Sequence, residues 1–438
     1  MKRGALSGAV FFLGACAAGA PQARPERAPL SAGRDDAIHE PLRRAVEAEL
    51  PGLVELYKWF HRNPELSLQE TKTAARLAAE LRGAGWEVTE NVGGTGVVGV
   101  LRNGPGPVVL ARVDMDALPV KEETGLPYAS AASGVMHACG HDSHMAIGVG
   151  LARVLAALRD RWSGTAVLVG QPAEEVGRGA LQMLEDPRFH RAVPGRPVAC
   201  LSVHNGVDPA GTVAVCPGFA SANVDSIDIV IRGRGGHGAW PHRTVDPIVI
   251  GAEIVLALQT IVSRKLPPGT RAVVTVGAFH AGTKHNIIPD EARLQLTVRS
   301  YEDEVREKLR SEIEHIAREV GEAHRVPVPV EVKETDVFTP AGYHDPELSE
   351  RMHDVFSRLL GPDRVLRGEP SMGGEDFSRF PRHYGVPGLQ FRVGGAPPSH
   401  DPSIGLHSSK WAVDPEPTIR TGTLALSRAM LELLAPRP

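Results

Sequence analysis

Cysteine, net charge and long apolar runs are all in short supply in this chain of 438 residues. Four cysteines cannot staple a chain of this length, so its stability must come from buried apolar surface and not from a disulfide framework. A formal net charge of -4, with 23% charged residues, offers no broad basic face and so implies no nucleic-acid or membrane-surface partner. After the N-terminus no run of about 20 apolar residues occurs, which leaves no membrane-spanning candidate in the body of the sequence. There is no internal repeat. What is present is ordinary for a folded protein: 42% hydrophobic residues in a length that suggests two or three domains with a sizeable core.

The first residues differ from the rest. Lys2 and Arg3 precede an apolar stretch from Ala5 to Ala15, short enough for the core of an export signal, which predicts a periplasmic or cell-envelope location. Within it, Leu13-Gly14-Ala15-Cys16 resembles the bacterial lipoprotein box, in which the cysteine carries a lipid anchor. Cleavage at a small residue between Ala15 and Ala18, leaving a secreted protein, is the alternative. The Ala/Pro/Arg-rich segment from Ala17 to Ala32 has the composition of a flexible tether. Cys200 and Cys216 flank a turn-rich segment; in an oxidising compartment they could pair, or each could be a small buried residue.

Beyond the tether, apolar spacing from Ile38 to Leu81 is helical, with Pro51 placed to start a second helix and Asn63-Pro64 to end it. Valine-rich strands then alternate with helices: Trp86 to Val92, Val97 to Leu101, Val108 to Asp114, the helix Met145 to Leu158, Thr165 to Gly170 and Ala199 to His204. That alternation predicts a mostly parallel sheet with helices on both faces. Between Val224 and Lys333 the order becomes βαββαβ, the plan of a small ferredoxin-like domain, its last strand, Val328 to Val332, an edge because Pro329 lies within it. The expected organisation is a signal (1–16), a tether (17–37), a first catalytic segment (38–220), an interrupting small domain (221–335) and a second catalytic segment (336–438).

Candidate chemistry is concentrated in a few places. Met136-His137-Ala138-Cys139-Gly140-His141-Asp142-Ser143-His144 packs three histidines, a cysteine and an aspartate just before a helix, a density that suits zinc and neighbouring metals. Gln171-Pro172-Ala173-Glu174-Glu175 follows a strand end, where ligands of open α/β sheets gather, and two adjacent acids can divide metal binding from proton transfer. Asp114, Asp116 and His204 fall at other strand ends, and Gly373-Gly374-Glu375-Asp376-Phe377 and Gly405-Leu406-His407-Ser408 are late candidates.

Together with Asp114 to Pro119, Gly235 to His242 and Asn286 to Asp290, these stretches resemble, in order, the metallopeptidase family of aminoacylases and related carboxypeptidases. The likeness is to its amidohydrolase subgroup, which includes hippurate hydrolases and plant auxin-conjugate hydrolases. The resemblance implies a zinc-peptidase-like α/β catalytic domain interrupted by a lid and dimerisation domain, working as a homodimer. It implies two divalent ions (Mn, Zn or Co) on Cys139, His141, Glu175, His204 and His407, with Glu174 as general base. It further implies that His237 reaches an active site across the dimer to bind the oxyanion, that Asn286 helps hold substrate, that Asp114 orients a ligand, and that Arg299 binds a substrate carboxylate. Two positions depart from the pattern: Arg112 stands where many relatives outside the subgroup have a metal histidine, and Ser143 where glycine is commoner.

The expected reaction is hydrolysis of an N-acyl amino acid to a carboxylic acid and a free amino acid, with a dipeptide or carboxypeptidase substrate as the nearest variant. Two rivals make different use of the same residues. One is a thiol hydrolase with Cys139 as nucleophile, and the other a non-catalytic ligand-binding lipoprotein.

Overall fold

The computed structural model describes residues 32–436. The export signal, Cys16 and most of the tether therefore lie outside the described residues. Helix Ala32–Arg62 begins inside the tether expected to run to residue 37, and it continues through both Pro41 and Pro51. The second helix predicted at Pro51 is thus the same helix. Val46, Leu50, Leu53, Leu56, Tyr57 and Phe60 keep one apolar face buried across the proline, and that burial outweighs one missing backbone hydrogen bond. The helix ends where Asn63-Pro64 predicts.

The large sheet has nine strands. Its middle is parallel, in the order Trp162–Gln171, Val108–Asp114, Ala199–Pro209, Gly388–Ala396. Gly96–Asn103 and Glu87–Val92 extend one side antiparallel, while Val213–Val215 and Val365–Arg367 finish the other. These valine-rich central strands are buried on both faces, as a parallel sheet requires. One face is covered by Ala32–Arg62, His141–Ala157 and Pro415–Leu433. Close approach of the last two depends on Gly150, where a Cβ would lie 2.7 Å from Thr423 Oγ1. Phe189, Phe377, Phe380 and Met183 cover the opposite face. Cys200 and Cys216 are both buried free thiols, so the pairing considered above does not occur.

The interrupting segment forms a four-stranded antiparallel sheet with its own core, ordered Ala272–Ala281, Glu291–Ser300, Asn223–Arg232, Glu331–Glu334. Helices Pro247–Thr260 and Asp303–Ala323 complete the βαββαβ order, and Glu331–Glu334 is an edge strand. Pro247–Lys265 is long and apolar enough to cross a membrane by length and composition. Here Ile250, Ile254, Leu258 and Ile261 bury a helical stripe against the small sheet, while Leu256 on the other side is 71% exposed. Composition thus yields one candidate span in the body of the chain where none was expected, and its buried stripe packs against the small sheet.

Candidate metal centre

Three parallel strands and the start of one helix deliver the candidate residues to one place. Val108–Asp114 ends in Asp114, Trp162–Gln171 leads directly to Glu174 and Glu175, and Ala199–Pro209 carries His204. Helix His141–Ala157 begins at the same end of the sheet, so the positive end of its dipole lies among the acids. Gly140 precedes it at φ 83°, and a Cβ there would sit 2.3 Å from the side-chain amide of Asn205. Only glycine fits, and this tight turn brings Cys139 and His141 into one cluster. His407 arrives on a late loop at φ 67°, its N–H donating to the Ala138 carbonyl at 2.8 Å.

The five expected ligands form a connected set. Ligand atoms of Cys139, Glu175 and His407 lie within 4.8 Å of one another, as do those of His141, Glu174 and Glu175. Cys139 Sγ is 3.6 Å from His204 Nε2, and Glu175 Oε1 is 3.9 Å from His141 Nε2 and 3.5 Å from His407 Nε2. His141 Nδ1 donates to the Asp116 carbonyl at 2.8 Å, which leaves Nε2 as a free lone pair. That Nε2 and Glu175 Oε1 are buried with no hydrogen-bond partner. Two converging, unsatisfied acceptors are costly unless a cation meets both.

Burial opposes charge on His141, yet Asp114 and Cys139 hold its imidazole well above the ordinary value, so a cation at Nε2 would take the place of a proton there. Burial, then Glu375 and Glu175, hold the Glu174 carboxyl well above its ordinary range; burial raises Glu175 as well and pushes the Cys139 thiol up. These acids resist ionising together, and a divalent cation among them reverses that tendency. The residues present therefore fit a metal site, and their mixed thiolate, imidazole and carboxylate character suits Mn, Zn or Co.

Around the donors lies a buried polar layer that motif reading only partly anticipates. Asp116 is more than a strand-end acid: it accepts from Ser67 Oγ at 2.6 Å and from the Glu175 N–H at 3.0 Å, and its carbonyl fixes His141. Asp114, expected to orient a ligand, is 3.7 Å from His141 Nε2 and binds His144 Nδ1 more closely, at 2.6 Å. The orienting group of His141 is thus Asp116. His144 also falls within a cluster able to hold a metal, with Asp114, His141 and His204. Its Nε2, however, accepts the Asn205 N–H at 2.8 Å, so both ring nitrogens are engaged and it supports Asp114 instead. Arg112 is wholly buried and joins Asp114 (2.7 Å), Glu375 (3.0 Å), Asp376 (3.3 Å) and Gln171 (2.8 Å). This fixed guanidinium neutralises the neighbouring acids. The Ser143 hydroxyl donates to the Gly140 carbonyl at 2.7 Å and so belongs to the helix start.

A cavity of about 590 Å³ opens above this cluster, lined by Cys139, Glu174, Glu175, His204 and His407 below and by Arg299 from the small sheet. His237 and Asn286 do not line it. Both are exposed on a short ribbon of the small domain, where His237 pairs with Ile287 and the Asn286 carbonyl accepts from Gly238.

Peptidase family M20/M25/M40 matches residues 110–432 of the chain. Thermostable carboxypeptidase 2 of Saccharolobus solfataricus is 37% identical, across 88% of this chain and 96% of its own length. Hippurate hydrolase of Campylobacter jejuni is also 37% identical, across 73% of this chain and 82% of its own. Among solved structures, Bacillus subtilis YXEP protein, described as a dinuclear metal binding peptidase, superimposes with a TM-score of 0.74 at 29% identity, covering 89% of this chain and 99% of that one.

Proposed function

This chain belongs to peptidase family M20/M25/M40 and is a hydrolase of amide bonds, and we propose that it cleaves N-acyl amino acids to a carboxylic acid and a free amino acid. The observation that carries the reading is the pair of buried, unsatisfied acceptors, His141 Nε2 and Glu175 Oε1, set beside Glu174. Two divalent cations, held by Cys139, His141, Glu175, His204 and His407, would supply Lewis acidity and make water a better nucleophile near neutral pH.

The chain's own groups do the rest. Glu174 lies 4.0 Å from His141 Nε2, and its raised pKa suits it to take a proton from the attacking water and return it to the leaving nitrogen. Arg299 lines the cavity with Nε engaged by Thr297 Oγ1 at 3.0 Å, and among the described residues neither terminal nitrogen has a hydrogen-bond partner, which leaves both for the substrate α-carboxylate. His237 and Asn286 fit the arrangement in which a second copy of the chain supplies them to this cavity. The thiol alternative meets two obstacles. Burial pushes the Cys139 thiol up, only partly offset by His141, and it lowers the neighbouring His204 imidazole to about 3, so the thiolate is disfavoured and His204 does not serve as its imidazolium partner.

Release of free amino acid from N-acetyl and N-benzoyl amino acids, with dipeptides alongside, tests the reading in enzyme loaded with Mn, Zn or Co. Glu174→Gln is expected to reduce kcat by about 1,000-fold while metal content by mass spectrometry stays unchanged. Near-normal turnover in that variant would remove Glu174 from its role. Activity that survives exhaustive chelation would restore Cys139 as nucleophile.

A further inference from the structure

The floor of the cavity is a row of side chains on adjacent strands. His204 pairs in register with Arg392 on Gly388–Ala396, and Arg392 in turn pairs with Ala214. Paired residues of neighbouring strands share a face about 4.8 Å apart, so Arg392 stands one strand beyond a proposed ligand, and both line the cavity. Arg392 is 37% exposed, and its one polar partner among the described residues is Asp208, reached through Nε at 3.4 Å. Neither terminal nitrogen of the guanidinium is engaged. On this wall His344, which donates from Nδ1 to the Cys216 carbonyl, is kept neutral by burial, which lowers it to about 4. The fixed cation of the floor is therefore Arg392, which lines the cavity one strand beyond the proposed ligand His204.

We propose that Arg392 selects the acyl half of the substrate, and that the preferred acyl group ends in a carboxylate, as in the monoamide of a short dicarboxylic acid. The inference rests on the function proposed above. With the α-carboxylate taken by Arg299 on the small sheet and the scissile carbonyl over the donor cluster, the acyl chain is left to run along the floor past His204. A carboxylate two or three methylenes from the carbonyl then meets the two free nitrogens of Arg392, the side-by-side arrangement for which a guanidinium is shaped. Asp208 keeps Nε and holds the plane of the group.

The test compares kcat/KM for the N-acetyl, N-succinyl and N-glutaryl derivatives of one amino acid. The wild-type enzyme is expected to favour a dicarboxylic acyl group over acetyl by about 30-fold, the worth of one charge-assisted hydrogen-bonded pair. Arg392→Gln should bring that ratio close to one, chiefly through KM. Arg392→Lys should keep part of it, and Arg392→Glu should shift preference toward a γ-aminobutyryl group. Thermal unfolding and metal content show whether each variant is folded and loaded. Hydrolysis of all three acyl groups without preference overturns this inference and leaves amide hydrolysis standing. So does a preference for acidic amino-acid side chains, or an Arg392→Gln variant that slows every acyl group equally. Failure to hydrolyse any N-acyl amino acid overturns the reading beneath it as well.

Discussion

Replacing Arg112 with methionine removes the guanidinium that lies within 3.3 Å of Asp114, Glu375 and Asp376, all buried. Methionine fills similar space, so the loss is electrostatic and not a cavity. Leaving one side of a buried ion pair uncompensated costs about 3–5 kcal/mol, which at roughly 2 °C per kcal/mol lowers Tm by about 6–10 °C at pH 8. The deficit should depend on pH. Asp376 is held at about 7 in the fold, above its ordinary 3.8, because burial outweighs the pull of Arg112. A carboxyl whose pKa rises on folding penalises the folded state above that pKa, and the penalty fades as pH falls through it. Without Arg112 that pKa climbs further, so the gap between variant and wild type is widest at pH 8 and narrows toward pH 5. Arg112→Lys, which keeps the charge but not the fork, should fall between them. Thermal unfolding by circular dichroism at both pH values reads the effect. A Tm within about 2 °C of wild type at pH 8, or a gap that widens on acidification, would refute the reasoning.

Two further perturbations probe the supports of the site. His61 sits 2.6 Å from Asp142 Oδ2 and 3.1 Å from Glu122 Oε1; burial opposes its charge, but these carboxylates raise it to about 9. A histidine raised on folding contributes stability that is complete below its unfolded value of 6.5 and is lost as pH rises through about 9. His61→Gln should therefore cost about 2 kcal/mol at pH 6 and almost nothing at pH 10, measured by urea unfolding. Ala173, immediately before Glu174, adopts φ 52° with its N–H held by Glu70 at 2.9 Å. The left-handed conformation costs an L-residue about 1–2 kcal/mol, so Ala173→Gly should leave Tm unchanged or slightly higher while kcat falls as Glu174 loses its fixed approach. A marked drop in Tm would show that the conformation is not strained.

Much of the architecture can be read from the chain because strand and helix signals are local. The valine-rich strands, the βαββαβ order and the donor-dense loop before His141 each announce themselves within a few residues. Pro51 misleads because the local penalty is real, yet the buried face from Val46 to Phe60 overrides it. Within the site, sequence names the donor types but not which lone pairs remain available. His141 and His144 look alike in the motif, and only their surroundings separate them. One keeps Nε2 open because Asp116 occupies the other nitrogen, whereas the second is held at both nitrogens, by Asp114 and Asn205.

Adjacency across strands is the hardest property to recover from a linear text. Arg392 lies in a glycine-rich stretch with no motif around it, and it acquires meaning only because the strand order places Gly388–Ala396 next to Ala199–Pro209 in parallel register. The same order separates duties among the cations of the site. Arg112, deep in the sheet and surrounded by three acids, has no capacity left for a ligand, while Arg392, one strand past His204 and tied to a single acid, does. Since both arise from strands whose ends meet at one cavity, charge removal at Arg112 should register in stability and at Arg392 in substrate choice; if the two variants behaved alike, the division of the sheet into a fixed support and a selective floor would be mistaken.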